Sequence, residues 1–399
     1  MENKKVRSNY FDTMKMNRPL HLILAGIGCV SLLIYVLACA TAFSPDDRQV
    51  LYPAFYPQSG ALSIALYDRD TGRSEQIFSG QEARTGTNLH SASLRAAWLD
   101  AKHILVAEAG GKNSLSLFVL PRGGREPVRQ IILPDMPESA DALLYPFAMT
   151  DTKIFLNGEH SLTRLDWTTG EMLVVTNGIL TLPGGDNQTI LGFREQHGTN
   201  QMTDFGVVDP QTLAFTSRLT LRSDTGNGGD GTFPHFNPAT GQIYFIGGEK
   251  TNAQLCVRQD GVEKFTRRIA RGSDKITVVG PWLDLGPKKD RVFTAYTSQA
   301  AGQTNCEYGL LEIPLNEQPL RFTPLFQVPA DTDGFLMAQP SLSHDGRTWA
   351  VSSAWLGAKK KSALRPEDSA LYLVSVDRSR PKITKVPITQ PAVDDDGVK

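Results

Sequence analysis

The residues best suited to hold a ligand lie in a glycine-rich stretch at 224–231. Asp224, Asn227 and Asp230 offer side-chain oxygens, and the glycines between them let the chain wrap around an ion. Hard oxygen ligands are what Ca²⁺ prefers, although the spacing matches no EF-hand loop. The stretch is interpreted either as a calcium site or as a flexible connection between strands, and no other cofactor is indicated.

A second candidate is a run of three lysines, Lys359, Lys360 and Lys361, inside a long polar insertion at 356–370. Long loops on rigid scaffolds often carry function. The three ammonium groups can contact an acidic protein surface or anionic lipid head groups. The alternative is a solvated loop tip with no partner.

Motifs for catalysis are absent from the sequence. It contains no G-x-S-x-G elbow, no H-E-x-x-H zinc helix and no phosphate-binding P-loop. We therefore assign no catalytic residue. The histidines show no metal-ligand spacing and stand at positions 21, 90, 103, 160, 197, 235 and 344.

Cysteines are few and fall into two pairs. Cys29 and Cys39 lie in an apolar run near the N-terminus, and Cys256 and Cys306 lie in the body of the chain. In an oxidising compartment Cys256 and Cys306 can form one disulfide. Two separate thiols fit the sequence equally well, because spacing alone does not bring their Cα atoms within bonding reach.

The N-terminal segment predicts membrane targeting. Residues 1–19 carry five basic and two acidic side chains, and residues 20–43 are uncharged and long enough to span a bilayer as a helix. The charge bias predicts a cytoplasmic leader at 1–19 and a C-terminal domain in the periplasm or cell exterior. Alternatives are signal-peptide cleavage after Ala42 and lipidation at Cys39.

Composition limits the class of the remaining chain. Lys and Arg number 41 and Asp and Glu 42, so the sequence lacks the basic excess of a nucleic-acid binder. Apolar residues make up 40% of the 399 residues, which excludes intrinsic disorder. Length alone allows two or three domains unless the sequence repeats.

The sequence does repeat. A hairpin of two apolar runs around a polar turn recurs about every 50 residues, with further strand patterns before each copy, as in the blade of a β-propeller. We predict an all-β, seven-bladed β-propeller over 44–392, followed by an acidic tail at 393–399. The hairpins occupy residues 65–78, 117–133, 162–175, 205–221, 255–269, 310–325 and 371–386.

Several turns carry a family resemblance. Residues 343–347, Ser-His-Asp-Gly-Arg, resemble the S-P-D-G-[KR] turn of TolB-like, WD-repeat-like exported propellers, with His344 in the place of Pro. Residues 53–60 and 234–241 resemble the same stretch, and the Asp-x-x-Thr-Gly turns at 68–72 and 166–170 resemble a later hairpin of that repeat. The resemblance implies a propeller fold and an exported location.

The first unit looks one strand short, because only a dozen residues separate Gly60 from Gly72. Propellers often close their ring by completing the blade of one terminus with a strand from the other. We therefore predict that a C-terminal segment at 385–392 completes blade 1. A three-stranded blade is the alternative.

These patterns favour a membrane-tethered interaction scaffold, or an accessory subunit of an envelope complex, that binds protein partners and no nucleic acid. The alternative is an exported hydrolase, lyase or ligand-binding propeller with an axial, metal-dependent site. Its side chains would come from innermost strands and would include Asp230, His235, His344 and Asp345. Fold does not by itself decide between the two.

Overall fold

The molecule is built from strands and turns. The computed structural model describes residues 35–56, 61–82, 94–110, 114–133, 148–150, 152–157, 161–176, 178–183, 189–196, 202–222, 235–237, 239–247, 253–300, 303, 305–329, 335–355, 370–376 and 380–388. Among them, no helix is long and apolar enough to cross a membrane. Thirty strands, β1 to β30, occupy these ranges and form seven sheets.

The first strand, β1 (Tyr35–Ala40), is discussed below with the last sheet, and the next sixteen strands form blades 1 to 4. Blade 1 contains β2 (Ala42–Phe43), β3 (Gln49–Tyr56), β4 (Ala61–Asp68) and β5 (Arg73–Glu82). Blade 2 contains β6 (Leu94–Trp98), β7 (His103–Gly110), β8 (Ser114–Pro121) and β9 (Arg129–Leu133). Blade 3 contains β10 (Ala148–Thr150), β11 (Lys153–Asn157), β12 (Ser161–Asp166) and β13 (Met172–Thr176). Blade 4 contains β14 (Leu180–Pro183), β15 (Ile190–Gln196), β16 (Met202–Val208) and β17 (Phe215–Arg222).

The other strands form blades 5 to 7. Blade 5 contains β18 (His235–Asn237), β19 (Gln242–Gly247), β20 (Gln254–Gln259) and β21 (Val262–Arg268). Blade 6 contains β22 (Lys275–Leu285), β23 (Arg291–Gln299), β24 (Asn305–Pro314) and β25 (Arg321–Pro329). Blade 7 contains β26 (Phe335–Gln339), β27 (Ser341–Leu342), β28 (Thr348–Trp355), β29 (Ala370–Ser375) and β30 (Lys382–Pro387).

Each sheet buries both faces against its neighbours, which confirms the seven-bladed propeller. Between blades 1 and 2, for example, Leu51 and Leu66 pack with Ile104 and Val106. A single twisted sheet cannot bury both faces, whereas a radial arrangement can. The strand order places the first strand of blades 1 to 6 innermost and the last strand of every blade outermost, and in blade 7 β1 lies inside β26.

The seven hairpins predicted from the repeat are the last two strands of the seven blades. Their turns form locally, because an aspartate ends the third strand in several of them. Asp68, Asp166 and Asp209 each accept hydrogen bonds from two backbone N–H groups ahead in the turn and from a threonine hydroxyl. Such Asx-type capping fixes the turn independently of the remaining fold.

The hairpin turns between first and second strands and between third and fourth strands lie on one side of the ring, which we call the turn face. In blade 1, for example, Arg69 after β4 donates its N–H to the carbonyl of Arg48 before β3, 2.9 Å away. The opposite side, where second strands connect to third strands and each blade connects to the next, is the loop face.

The N-terminal apolar run does not continue as a helix to residue 43. β1 pairs in parallel with β26, the first strand of blade 7, and β2 is the first strand of blade 1. The predicted transmembrane helix at 20–43 is therefore wrong for its C-terminal part. An apolar strand can satisfy its backbone on the open edge of β26, and Phe43 is buried between blades 7 and 1. Residues 20–34 and the leader 1–19 lie outside the described residues.

Blade 1 has its own first strand, so the predicted completion by residues 385–392 is wrong. β2 pairs with β3, whereas β30 is the outermost strand of blade 7. The first turn of blade 1 is also not at 53–60, because β3 runs to Tyr56. It lies at 44–49, directly after the apolar run at 20–43.

This turn and the first turn of blade 7 share one hydrogen-bonding pattern. Ser44 Oγ donates to Asp46 at 2.6 Å and accepts the N–H of Gln49 at 2.9 Å. Ser343 makes the same two bonds with Asp345 and Thr348 at the same distances. The sequence Ser-Pro-Asp-Asp-Arg at 44–48 is thus the better match to the repeat turn.

The two turns differ at one position, and that difference closes the ring. Gly346 has a φ of 67°, and the equivalent Asp47 has a φ of 57°. The Asp47 carboxylate accepts the backbone N–H groups of His344 and Asp345, each at 2.9 Å, and lies 2.8 Å from His344 Nδ1. Arg69 donates to the Asp47 carbonyl at 2.6 Å and to Thr348 Oγ1 at 2.9 Å.

We call Asp47, Arg69, His344 and Thr348 the seam clasp. Beneath the clasp, Val50 and Tyr52 of blade 1 pack against Ala350 and Leu371 of blade 7, with Val386 and Ile388 at the margin. The two ends of the ring are therefore joined in two ways: the N-terminal strand β1 pairs with β26 of blade 7, and side chains of blades 7 and 1 meet in the seam clasp and the core beneath it.

Candidate functional site

The two loop candidates from the sequence lie outside the described residues. Asp224, Asn227 and Asp230 fall in the connection from β17 to β18, and Lys359, Lys360 and Lys361 fall in the connection from β28 to β29. Both connections begin and end at the loop face. The calcium site and the lysine surface stay predictions.

The two body cysteines lie on neighbouring blades and are not joined by a disulfide. Cys256, on β20, is buried in the core between blades 4 and 5, and burial raises the pKa of its thiol. Cys306, on β24 of blade 6, is half-buried. A buried thiol of this kind packs as a small apolar side chain.

Of the side chains proposed for an axial site, Asp230 lies outside the described residues, and His235, His344 and Asp345 do not converge. His235 begins β18 at the loop face, and its ring lies 6.4 Å from that of Tyr244. His344 lies on the opposite face in the seam clasp, and Asp345 accepts hydrogen bonds from Ser343 and Arg347 of its own turn. Among the described residues, no group of three His, Cys, Asp or Glu is placed to hold a metal ion.

A dense polar network of the described residues lies at the loop face of blade 6. Arg271 donates to Asp274 at 2.9 Å, to Glu307 at 2.5 Å and to Ser298 at 3.0 Å, and its guanidinium lies over the ring of Phe322. Asp274 directly precedes β22, Ser298 lies on β23 and Glu307 lies on β24. The guanidinium fork is thereby matched to acceptors on three elements.

The charged and polar groups of this network, all among the described residues, bond to one another and leave no open binding site between them. Tyr296 donates its hydroxyl to Glu307 at 2.6 Å, and burial together with that carboxylate raises the pKa of Tyr296. The hydrogen bond from Arg271, followed by that from Ser298, lowers the pKa of Asp274. Since the charged groups already satisfy each other, the network fixes the connection from blade 5 to blade 6 on the sheet.

Asp284, between blades 6 and 7, has no cationic partner in the part of the chain that the structure describes. It lies near the end of β22, is half-buried, and accepts one hydrogen bond from the backbone N–H of Leu342 at 3.1 Å. Protein surrounds the side chain on most sides although part of it reaches solvent. This desolvation raises the pKa of Asp284 to about 7, against one opposing hydrogen bond from Leu342.

Exposed apolar side chains are concentrated at the outer rim of blades 2 and 3. Of the six large apolar side chains exposed in the part of the chain that the structure describes, four lie there, namely Val128 (59% exposed), Ile132 (61%), Met172 (53%) and Val174 (57%). We call these four residues the rim patch. The other two, Val262 and Ile383, lie singly on blades 5 and 7.

Strand alternation explains the exposure of the rim patch. Leu173 and Val175 of β13 pack inward toward blade 4, so Met172 and Val174 face outward on the other side. In β9, Ile131 and Leu133 pack between blades 2 and 3, so Ile132 is exposed on the other side of the strand, which faces blade 1, whereas Met172 and Val174 face blade 2. Arg129 donates to the carbonyl of Thr168 in the last turn of blade 3 and so ties β9 to the neighbouring blade.

Sequence reasoning missed the rim patch and the seam clasp. The signal for the patch is the run Met-Leu-Val-Val-Thr at 172–176, an outermost strand that is apolar on both faces. The signal for the clasp is the Ser-x-Asp-x-Arg pattern at 44–48, repeated at 343–347. Both signals require knowledge of which strand is outermost and which turns are neighbours.

Comparison with known proteins supports the fold alone. No family model and no curated protein sequence matches the chain. A prolyl endopeptidase structure is 10% identical, with a TM-score of 0.52, over 85% of this chain and 48% of that one. The propeller domain of the Trilobed protease from Pyrococcus furiosus is 12% identical over 71% of this chain and 79% of that domain, with a TM-score of 0.46. An acylaminoacyl peptidase from Pyrococcus horikoshii is 13% identical over 80% and 50%, with a TM-score of 0.45. The chain spans about half the length of the two peptidases.

Proposed function

We propose that this chain is an interaction scaffold of a membrane-associated, extracytoplasmic complex, in which the rigid ring presents the rim patch to a protein partner. The observation that carries the proposal is the concentration of exposed apolar side chains on two neighbouring outer strands. Apolar patches on otherwise polar surfaces mark protein–protein contacts. Scattered single side chains, such as Val262, carry no such meaning.

The ring supplies rigidity to this surface. Arginines reach from one blade to the last turn of the next blade at several junctions: Arg129 contacts Thr168, Arg164 contacts Gln211, and Arg267 contacts Asn316. Together with the seam clasp, these contacts hold the relative positions of neighbouring blades. A rigid surface loses little conformational entropy when a partner binds.

Membrane association is proposed from the sequence, on the basic leader and the apolar run that follows it. Residues 20–34 alone would form a helix of about 22 Å, shorter than the roughly 30 Å hydrocarbon core. Insertion of the whole run at 20–43 would withdraw β1 from β26. Carbonate extraction of membranes tests the tether, and a mature N-terminus at Phe43 in a released protein would contradict it.

The scaffold role is tested by purifying the full chain in mild detergent after chemical cross-linking. We expect a second protein whose cross-links map to blades 2 and 3 and which Ile132→Lys removes. The matched control is Val262→Lys, which places the same charge on an equally exposed outer-strand position of blade 5. Purification without a second protein, or equal loss in both variants, would contradict the proposal.

A second candidate function is an exported enzyme or ligand-binding propeller, and Asp284 is the observation that favours it. An acid with a pKa near neutrality can exchange a proton at physiological pH. The fold is shared with the propeller of a prolyl endopeptidase, at an identity too low to carry an activity across. Loss of a measured hydrolytic or binding activity in Asp284→Asn, with Ile132→Lys unaffected, would favour this candidate over the scaffold.

A further inference from the structure

The outer edge of blade 3 differs from those of the other six blades. Exposed sheet edges are usually protected by charged residues or proline, because unpaired backbone groups otherwise accept another strand. β13, with the sequence Met-Leu-Val-Val-Thr, contains neither. The other outermost strands all contain at least one such residue: Arg73 in β5, Arg129 in β9, Arg218 in β17, Lys264 in β21, Arg321 in β25 and Lys382 in β30.

β13 is also paired on one side only. Its five residues are in antiparallel register with β12, from Leu165 opposite Met172 to Ser161 opposite Thr176, and its other edge has no partner strand among the described residues. The alternating exposure places Met172, Val174 and Thr176 outward. Glu171 immediately precedes the strand and lies 4.0 Å from Arg164, which lies on β12 opposite Leu173.

We propose that β13 pairs with β13 of a second copy of this chain, antiparallel and centred on Val174, so that the two outer edges of blade 3 form one continuous sheet. This inference goes beyond the proposed function, because it assigns the open edge of β13 to a second copy, whereas the scaffold's protein partner is tested at Ile132 on blade 2. A two-fold pairing places Val174 opposite the same residue of the partner subunit and Met172 opposite Thr176 of the partner subunit.

Charge complementarity favours a second copy. An uncharged strand is complementary to itself, since no like charges meet and no charge loses its hydration on pairing. The same pairing at β21 would desolvate Glu263, Lys264, Arg267 and Arg268, and at β30 it would desolvate Lys382 and Lys385. β-branched residues at alternate positions, as at Val174 and Thr176, also suit cross-strand packing.

The interface is small. Five residues per strand bury far less than the roughly 1,600 Å² of a standard interface. The dimer is therefore expected to be weak in dilute solution, and covalent trapping is the appropriate measurement. Directly opposite residues in an antiparallel pair have Cα atoms about 4.5–5.5 Å apart, which lies within the range that a disulfide can bridge.

The test uses the full chain in detergent with Val174→Cys under mild oxidation. We expect a disulfide-linked dimer on a non-reducing gel, absent from the wild-type chain and its four native cysteines. Met172→Cys is the register control, because the two copies of that position would be offset by about 13 Å along the strand. Val262→Cys is the control for random collision, with the same exposure on blade 5.

The proposal is overturned if Val174→Cys stays monomeric, or if Met172→Cys or Val262→Cys cross-links as readily. Val174→Lys places a protecting charge on the edge of β13. We expect the wild-type chain to show chemical cross-linking between two copies and the Val174→Lys variant to lack it. Equal cross-linking in the variant would also overturn the proposal. Retention of a different protein through Ile132 while Val174→Cys stays monomeric would refute the dimer and leave the scaffold. A Val174→Cys dimer that binds no second protein would support the dimer and contradict the scaffold.

Discussion

Removal of the Asp47 carboxylate is expected to loosen the ring where its two ends meet. Asp47→Ala deletes the acceptor of two backbone N–H groups and the partner of the His344 ring, all contributed by blade 7. The carboxylate is well shielded, with 14% of the side chain exposed. Arg69 keeps its bonds to the Asp47 carbonyl and to Thr348, so the substitution weakens the clasp without abolishing it.

The magnitude follows from the kind of bond lost. A hydrogen bond to a charged group contributes about 1.5–3 kcal/mol, but the orphaned N–H groups belong to exposed residues and can bind water. We therefore expect Asp47→Ala to lower the free energy of unfolding by about 2 kcal/mol. Asp47→Gly should lose about 1 kcal/mol less, because glycine adopts the positive φ of this position without the steric cost of a Cβ.

The assay combines urea unfolding with hydrogen exchange of the full chain. Faster exchange is expected in β3 and β28, on the two sides of the seam, with blades 3 to 5 unchanged. Asp260→Ala is the matched control, since Asp260 also has a positive φ, 51°, in an exposed turn of blade 5. The reasoning is refuted if Asp47→Ala costs no more than Asp260→Ala, or if exchange rises equally in all blades.

Two further predictions concern blade 6. The pKa of Asp284 is 3.8 in the unfolded chain and about 7 in the folded chain. The contribution of Asp284 to the free energy of unfolding is therefore fully present below about pH 4 and is lost as pH rises to about 7. The fall is at most about 4 kcal/mol, because part of the side chain meets solvent. The urea midpoint of the wild-type chain should be lower at pH 8 than at pH 4.5, and this difference should be absent from Asp284→Asn. An equal difference in the variant would contradict the assignment to Asp284. Gly309→Ala should cost about 1–3 kcal/mol, because a Cβ there would lie 2.3 Å from the carbonyl oxygen of Thr323. The control is Gly247→Ala, whose nearest neighbour is 3.4 Å away, and equal unfolding midpoints for the two variants would contradict the packing argument.

The features predicted correctly from the sequence are local ones. The seven hairpins were recognisable because each is formed within about 15 residues and several are capped by an aspartate and a threonine of the same turn, as at Asp68 and Asp166. The repeat then fixed the number of blades. No long-range contact had to be known for either step.

The errors concern contacts between distant parts of the chain. Tyr35–Ala40 is apolar enough for a helix or a strand, and only its pairing with β26, some 300 residues away, decides in favour of the strand. The first blade was misplaced because its first strand, β2, is only two residues long and lies at the end of the apolar run. The seam clasp depends on Asp47, whose carboxylate has no distinguishing neighbour in the local sequence.

The candidate site was predictable only in part. Residue types singled out Asp345, His344 and His235, but the fold places the two histidines on opposite faces of the ring. The rim patch could not be recognised from hydrophobicity, since Met172–Thr176 reads like any buried strand. Its exposure follows from its position at the outer end of blade 3.

The seam has a consequence for biosynthesis. The residues that meet there, Asp47 and His344, are 297 positions apart, so blade 1 is translated long before its partner. At about 5–20 residues per second, the interval is about 15–60 s. Throughout it, the face of blade 1 that carries Val50 and Tyr52 has no sheet to cover it. A nascent chain of this protein should therefore need a chaperone until the last blade is complete, and any truncation within blade 7 should leave an aggregation-prone open ring.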